Sequence, residues 1–468
     1  MEELRQLLRG DWERRHGALG RRAPAIGERQ GGVLVAAAAE TPKLPPQRRL
    51  RREVFARFLH QLDSRQTAGF TDRAAARAQV RRILDDLLAA GESPPLAAGE
   101  RARLEEAVVA EICGFGPVDP LFEDPTVSDV LVNGPYEVWV DRFGRLEKTR
   151  VRFDDEEHLM RLLGRLVASQ GRHLDEASPL VDVRLPDGSR LHALIPPLCA
   201  VPVVSIRRQR AIPFRLEELY ACGTMSATMG ELLSAAVGSG LNMVVSGGTG
   251  AGKTTLLNVL GSFIPPGERV VTIEETVELD FDHPHTISLE ARLPNIEGRG
   301  EVTLRSLVRN ALRMRPDRII VGEVRGPEVF DMLQAMNTGH EGSLTTVHAN
   351  SPADALRRLE SLVHMGGFEL PSHTIQELLG AAFHAIVQIA RFLDGSRRIT
   401  NIGEVAFEDG QLVARELFRY DAARPDGSGG RFVATGARPG FLPRLAAAGL
   451  PASIFDLTAA EPAAAEGD

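Results

Sequence analysis

The run Gly247-Gly248-Thr249-Gly250-Ala251-Gly252-Lys253-Thr254 has the residue types and spacing of a loop built to hold a phosphate. Its glycines let successive backbone N–H groups curl around an anion with no Cβ in the way, and a helix starting behind them turns its positive end on the same anion. Lys253 offers a compact ammonium to the β- and γ-phosphates of a nucleotide, and Thr254, with Thr255 beside it, offers a hydroxyl to Mg²⁺. The whole stretch from Gly247 to Thr255, with Thr249, Gly250 and Ala251 at its middle, is expected to touch the nucleotide. Lysine is otherwise scarce: Lys43, Lys148 and Lys253 stand against 52 arginines. A planar guanidinium replaces a point charge poorly in such a loop, which explains a lysine at this position.

Three further runs carry carboxylates or imidazole at the ends of apolar strands. Arg318-Ile-Ile-Val-Gly-Glu-Val-Arg325 ends its strand in Glu323, a carboxylate suited to hold Mg²⁺ through water or to orient an attacking water. Thr272-Ile-Glu-Glu-Thr-Val-Glu-Leu279 sets Glu274, Glu275 and Glu278 directly after another strand, where open α/β sheets bind ligands. Taken alone, that run would pass for a solvated acidic loop. Gly339-His-Glu-Gly-Ser-Leu-Thr-Thr-Val-His-Ala-Asn350 is a partly polar strand that ends in His348, a place from which a ring can sense phosphate. A lone histidine is more often structural, and only the phosphate loop upstream gives this one a chemical setting.

Such residues need parallel strands whose ends converge. After about residue 216, strand candidates at 241–246, 270–273, 319–322 and 344–347 alternate with helices, the mark of a parallel sheet covered by helices. Leu304, Leu307, Val308, Ala311 and Leu312 keep helical spacing until Pro316. Val329, Phe330, Met332, Leu333 and Met336 form the next helix, opened by Pro327 and closed by Gly339. Ser351-Pro-Ala-Asp354 caps a third, and 398–420 reads as a terminal hairpin. The expected fold class is therefore α/β, with a P-loop ATPase domain over 216–425 and an extension over 426–468 that loses its order after Phe455.

Ahead of it, 99–208 mixes short strands and helices as a smaller α+β domain, joined by a linker at 209–215. Its clearest signature is a hairpin: Val181, Val183 and Leu185 alternate up to Pro186-Asp-Gly188, and Leu191, Ala193 and Ile195 alternate on the return. A last strand, 203–207, closes the domain. Residues 48–98 hold two amphipathic helices, one with Leu50, Val54, Phe55, Phe58 and Leu62 on a single face, the other with Val80, Ile83, Leu84, Leu87 and Leu88. Residues 1–47 read as a disordered arm.

Composition narrows the class. Apolar content of 43% and charged content of 25% suit a soluble globular protein, and no run approaches the ~18 apolar residues of a membrane helix. The charged start has no apolar core of a signal peptide. Cys113, Cys199 and Cys222 show no metal spacing and suit a reducing cytosol. The net charge of −8 conceals a basic start: residues 1–60 carry 13 Lys and Arg against 7 Asp and Glu, which leaves −14 on the remainder.

Phosphate loop, acidic box, Glu-ending strand and histidine box, in this order, resemble the type II/type IV secretion ATPase superfamily. The runs Ala311-Leu-Arg-Met-Arg-Pro-Asp-Arg-Ile-Ile-Val-Gly-Glu-Val-Arg-Gly326 and Met336-Asn-Thr-Gly-His-Glu-Gly-Ser-Leu-Thr-Thr-Val-His-Ala-Asn-Ser351 are especially similar to the Tad-pilus (CpaF-type) assembly ATPases. Upstream, Gly114-Phe-Gly-Pro117, Val132-Asn-Gly134 and Val181-Asp-Val-Arg-Leu-Pro-Asp-Gly-Ser-Arg190 look like the same family's N-terminal domain, so the resemblance spans about 100–450. It implies a RecA-like ATPase domain, a homo-hexamer at the cytoplasmic face of the inner membrane, ATP and Mg²⁺ as cofactors, and a membrane platform protein as partner. It implies Glu323 as the Walker-B acid, His348 as the histidine-box residue and Glu278 as the acid of the Asp box. That box usually reads Ile-Glu-Asp, and here Glu275 stands where Asp is expected. Arg190 and Arg207 match N-terminal-domain arginines that reach the γ-phosphate.

Two other classes compete. A nucleic-acid translocase would want a basic, aromatic-bearing groove; the body of this chain is acidic and its aromatics total 5%, so no nucleic-acid partner is expected. A nucleotide switch without turnover would not need Glu323 and His348. A guanine-specific switch is excluded, because no lysine follows an asparagine.

Overall fold

The computed structural model describes residues 46–61, 72–91, 96–142, 144–208, 214–292, 294, 299–424, 427, 429–456 and 461–462. The expected arm over 1–47 lies outside them apart from its last two residues, as do most of the expected linker at 209–215 and most of the tail after Phe455. From Arg51 onward the described chain forms one unit.

Helices come first: α1 (Pro46–Gln61), α2 (Arg73–Ala89), α3 (Ala98–Cys113) and the short α4 (Asp119–Glu123). Asp72 caps α2 by accepting the N–H groups of Ala74 and Ala75 at 2.9 and 3.0 Å. Val80, Ile83, Leu84 and Leu87 are buried on its inner face. Arginines fasten these helices: Arg51 pairs with Glu111 at 2.9 Å and Arg81 with Glu105 at 2.8 Å.

A six-stranded sheet comes next, made of β1 (Val127–Asn133), β2 (Val138–Arg142), β3 (Arg145–Lys148), β4 (Leu180–Arg184), β5 (Arg190–Leu194) and β6 (Val203–Arg207). Its order is β3-β2-β1-β6-β5-β4, antiparallel throughout. Helix α5 (Glu156–Ala168), capped by Asp155, lays Leu159, Leu163 and Val167 into the same core as Val130, Val140, Leu191 and Ile206. The register concentrates charge. Arg190 stands opposite both Arg184 and Arg207, and Arg207 opposite Asp129, so the neighbouring ends of four strands gather guanidinium groups and a carboxylate.

The second sheet has ten strands. Helices α6 (Leu216–Ala221) and α7 (Ala227–Gly238) lead into β7 (Met243–Gly247), α8 (Lys253–Gly261), β8 (Val270–Glu274) and β9 (Thr286–Glu290). Then come α9 (Leu304–Ala311), β10 (Arg318–Val321), α10 (Glu328–Asn337), β11 (Leu344–His348), α11 (Pro352–Met365) and α12 (Ser372–Ala382). The chain continues with β12 (Ala385–Arg391), β13 (Arg397–Glu408), β14 (Gln411–Asp421), β15 (Arg431–Ala434), α13 (Leu442–Ala447) and β16 (Glu461–Pro462). The order is β16-β15-β14-β13-β12-β7-β11-β10-β8-β9.

From β12 to β9 every pair is parallel, and from β12 outward to β16 every pair is antiparallel. The sheet is thus mixed: its parallel half carries helices on its faces, and its antiparallel half grows from the terminal hairpin. Beyond residue 425, Phe432, Phe441, Leu445, Leu450 and Phe455 share one core cluster with Leu256, Leu417 and Phe418.

Candidate active site

Strand β7 is buried along its whole length and delivers the chain straight into the glycine-rich loop. Close approach explains two of the glycines. A Cβ on Gly247 would lie 2.4 Å from the carbonyl oxygen of Ile389, and Gly252, the residue before α8, has φ 99°, a backbone state that side chains disfavour. Between them Gly248 is half-buried, and Thr249 and Gly250 are exposed. The carbonyl of Gly250 accepts from Arg397 at 3.0 Å. Ala251 turns its methyl into the core of the second sheet, and its N–H points back to the carbonyl of Gly248 at 3.4 Å.

Lys253 opens α8 with 7% exposure and donates from Nζ to the carbonyls of Gly248 at 3.0 Å and Gly247 at 3.1 Å. Burial pulls its pKa below the ordinary ammonium range, and Glu323 opposes that pull.

Strand β11 runs parallel to β7 with His348 opposite Gly247, which brings the imidazole to Lys253: Nζ to Nδ1 is 3.3 Å. The other ring nitrogen, Nε2, lies 2.9 Å from Glu323 Oε1. Burial lowers the His348 pKa, and Lys253 and Arg325 lower it further against the raising effect of Glu323. Arg325 then completes the row. Its two terminal nitrogens donate to Glu323 and Glu275, each at 2.9 Å. Lys253, His348, Glu323, Arg325 and Glu275 are therefore one chain of contacts drawn from four strand ends.

A cleft opens beside this chain. From the first sheet it is lined by Gly188, Arg190, Arg207 and Arg208, with Phe214 after them; from α8 by Thr254, Thr255 and Asn258; from the acidic loop by Thr276, Val277, Glu278 and Asp280. Arg190 forks onto Asp182 with bonds of 3.0 and 2.9 Å, and Arg207 reaches Asp129 at 2.9 Å. The bond to Asp182 holds the Arg190 pKa up, and Glu278 and Glu275 add to it; Asp129 outweighs burial at Arg207, again with Glu278 adding. The field of the cleft is thus set by Arg190, Arg207 and Arg208 on one side and by Glu278 and Asp280 on the other.

The residues singled out in the sequence fall into three groups. Thr254, Thr255, Glu278, Arg190 and Arg207 line the cleft, whereas Lys253, His348, Glu323 and Glu275 belong to the charged chain. The remainder of the expected nucleotide-binding run, Gly247, Gly248, Thr249, Gly250, Ala251 and Gly252, does not line the cleft. The one apolar side chain in that run, the methyl of Ala251, is spent on packing in the core. Glu275 does not line the cleft either; its extra methylene relative to Asp is used in reaching Arg325.

Sequence reasoning gave no separate role to Arg325, Asn258 or Glu274. The signal for Arg325 is a cation two residues after the strand-ending acid, and for Asn258 an amide one helical turn beyond Thr254. The oxygen donors Thr254 and Glu323 are of the hard type that Mg²⁺ takes. Among the described residues no group of three or more His, Cys, Asp or Glu could hold a metal by itself.

Residues 111–422 match the family model described as Type II/IV secretion system protein. A protein of Mycobacterium tuberculosis named for conjugal transfer is 42% identical over 323 residues, which is 68% of this chain and 91% of that protein. VirB11 of Agrobacterium fabrum is 32% identical over 324 residues, 62% of this chain and 91% of that one. Among solved structures, the VirB11 ATPase of the Brucella suis type IV secretion system, in complex with sulphate, is 30% identical and covers 62% of this chain and 95% of its own, with a TM-score of 0.34.

Proposed function

The chain belongs to the family of type II/IV secretion system proteins and is a P-loop ATPase, and from that premise we propose a six-membered ring motor that couples ATP hydrolysis to pilus assembly or export. Its proposed partner is a platform protein of the inner membrane, of the kind that serves Tad pili, and its proposed place is the cytoplasmic face of that membrane. No helix among the described residues is long and apolar enough to cross a membrane.

The observation that carries the proposal is the cleft. It brings Thr254 of the phosphate-loop helix, Glu278 of the acidic loop and Arg190 and Arg207 of a separate sheet to one place. A nucleotide there would be felt by both sheets, which is what a motor requires. In this proposal the backbone N–H groups of Gly248, Thr249, Gly250, Ala251 and Gly252, together with Lys253, hold the phosphates, and Thr254 and Glu323 would hold Mg²⁺. The hydroxyl and carboxylate oxygens of Thr254 and Glu323 fit a hard cation, which when bound would supply positive charge against the phosphates. Glu278 orients the attacking water. Arg190 and Arg207 stabilise the charge that develops on the transferred group. His348, held between Lys253 and Glu323, reports on the γ-phosphate, and Glu275 works through Arg325.

Phosphate release tests this directly. Lys253→Ala removes the one side-chain cation of the loop and should abolish turnover together with most ATP affinity. Glu323→Gln keeps the size of the side chain, should bind ATP with Mg²⁺ as well as wild type, and should hydrolyse it about 100-fold more slowly. Near-normal phosphate release by Lys253→Ala would sink the motor, and a loss below about tenfold in Glu323→Gln would move the main acid role to Glu278.

A further inference from the structure

Glu278 sits on a loop, and a carboxylate on a loop can orient a water only if its backbone is held still. Two side chains hold it, from opposite sides. Glu274 is the last residue of β8 and 4% exposed; its Oε1 accepts the N–H groups of Glu278 and of Leu279, both at 3.0 Å. Asn258 lies one turn beyond Thr254 on α8. Its Oδ1 accepts the N–H of Asp280 at 2.8 Å, and its Nδ2 donates to the carbonyl of Glu278 at 3.4 Å.

The peptide groups on both sides of Glu278 are therefore tied down, one to the strand that the loop leaves and one to the helix that carries the phosphate-loop hydroxyls. Thr254 and Asn258 share a helix face, and both line the cleft with Glu278. Gly322 completes the arrangement: a Cβ there would lie 2.9 Å from Glu274 Cγ, so no side chain intervenes between the two strand ends. Downstream, the buried Leu279 and Phe281 anchor the loop in the core.

We propose that Glu274 and Asn258 are positioning residues that fix the backbone of Glu278 to the phosphate-loop helix, so that its carboxylate keeps a set place in the cleft. This rests on the reading of Glu278 as the carboxylate that works on the nucleotide. Neither residue touches the reacting atoms; each acts through Glu278.

The experiment is steady-state phosphate release with variation of ATP, in the full chain. Glu274→Ala and Asn258→Ala are made both alone and together with Glu278→Gln, and Glu274→Gln is added. Alone, each Ala change should lower kcat by about tenfold or more and leave the KM for ATP within about threefold, since misplacing a reacting group by ~1 Å can lower rates 10²-fold. Glu274→Gln retains an oxygen that accepts the same two N–H groups and should recover most of the lost turnover. In the Glu278→Gln background the Ala changes should lower the residual rate by less than about twofold, because groups that act through one residue do not multiply.

A full multiplicative loss in that background overturns the proposal, as does normal kcat in both single Ala variants. Should Glu274→Ala fail to fold by circular dichroism, Asn258→Ala carries the same test. Wild-type turnover by Glu278→Gln alone would overturn the reading of Glu278 itself, and that outcome is read from a variant in which both positioning residues are intact.

Discussion

Glu274 keeps a carboxyl group underneath its own loop, and burial pushes its pKa from the usual 4.5 to about 7, against the two backbone N–H groups that pull it down. Its second oxygen is buried and accepts no hydrogen bond. The unfolded chain loses this proton near pH 4.5, whereas the folded chain keeps it to about 7. Between those values the folded state binds more protons, so this group's contribution to stability falls as pH rises through the window and stays low above it. The shift corresponds to roughly 3 kcal/mol. Glu274→Gln keeps the acceptor and removes the charge. Its Tm should exceed that of wild type by a few degrees at pH 8, and the gap should close toward pH 5 in scanning calorimetry. An equal gap at both pH values would show that Glu274 does not titrate in this range.

The ends of β8 and β10 pack so closely that the residue before Glu323 has no room for a side chain. A Cβ on Gly322 would lie 2.9 Å from Glu274 Cγ and 3.3 Å from its Oε1. Gly322→Ala should displace Glu274, loosen the acidic loop and cost ~1–3 kcal/mol, the usual range for overfilling a packed site. Urea unfolding and phosphate release should both report it, and a stability within ~0.5 kcal/mol of wild type would mean that the strand ends can part. The same contact marks the limit of what the sequence reveals. The phosphate loop, the strand that leads to Glu323 and ends two residues short of it at Val321, the strand ending in His348 and the hairpin over 180–194 are each contiguous, and each carries its own local pattern. Strand β12 has none: Ala385–Arg391 is a short buried run without alternation, which periodicity cannot tell from a piece of helix. The meetings of Lys253 with His348, and of Arg325 with Glu275, depend on the strand order β7-β11-β10-β8, which is not chain order. The role of Asn258 is hidden from the sequence for the same reason, because its partners, Glu278 and Asp280, lie across a strand and a turn.

At the scale of the molecule, the two sheets are joined chiefly by arginine. Arg184 approaches Glu290 at 3.8 Å, Arg172 donates to the carbonyl of Pro294 at 3.4 Å, Arg145 to that of Asp394 at 3.4 Å, and Arg391 to that of Gly144. A polar junction of this sort lets two bodies shift without exposing a core. Arg190 and Arg207 sit on the same side of the first sheet, over the cleft, and both are held by acids of their own sheet, Asp182 and Asp129. These pairs are partly exposed, with Arg207 at 60%, so parting them costs no more than ~1 kcal/mol. A transferred phosphoryl group, with its charge spread over three oxygens, offers a guanidinium far more than that. The acids thus park the arginines at the cleft, and phosphate can draw them off, which would pull the first sheet toward the nucleotide of its own or a neighbouring subunit. Arg207→Ala should lower turnover about tenfold or more and Arg190→Ala less, on the scale of lost transition-state donors, with folding spared. Light scattering should show a six-membered ring that tightens when a slowly hydrolysed ATP analogue binds. A chain that stays monomeric with nucleotide, and whose arginine variants turn over normally, would leave the second sheet as an ATPase that works alone.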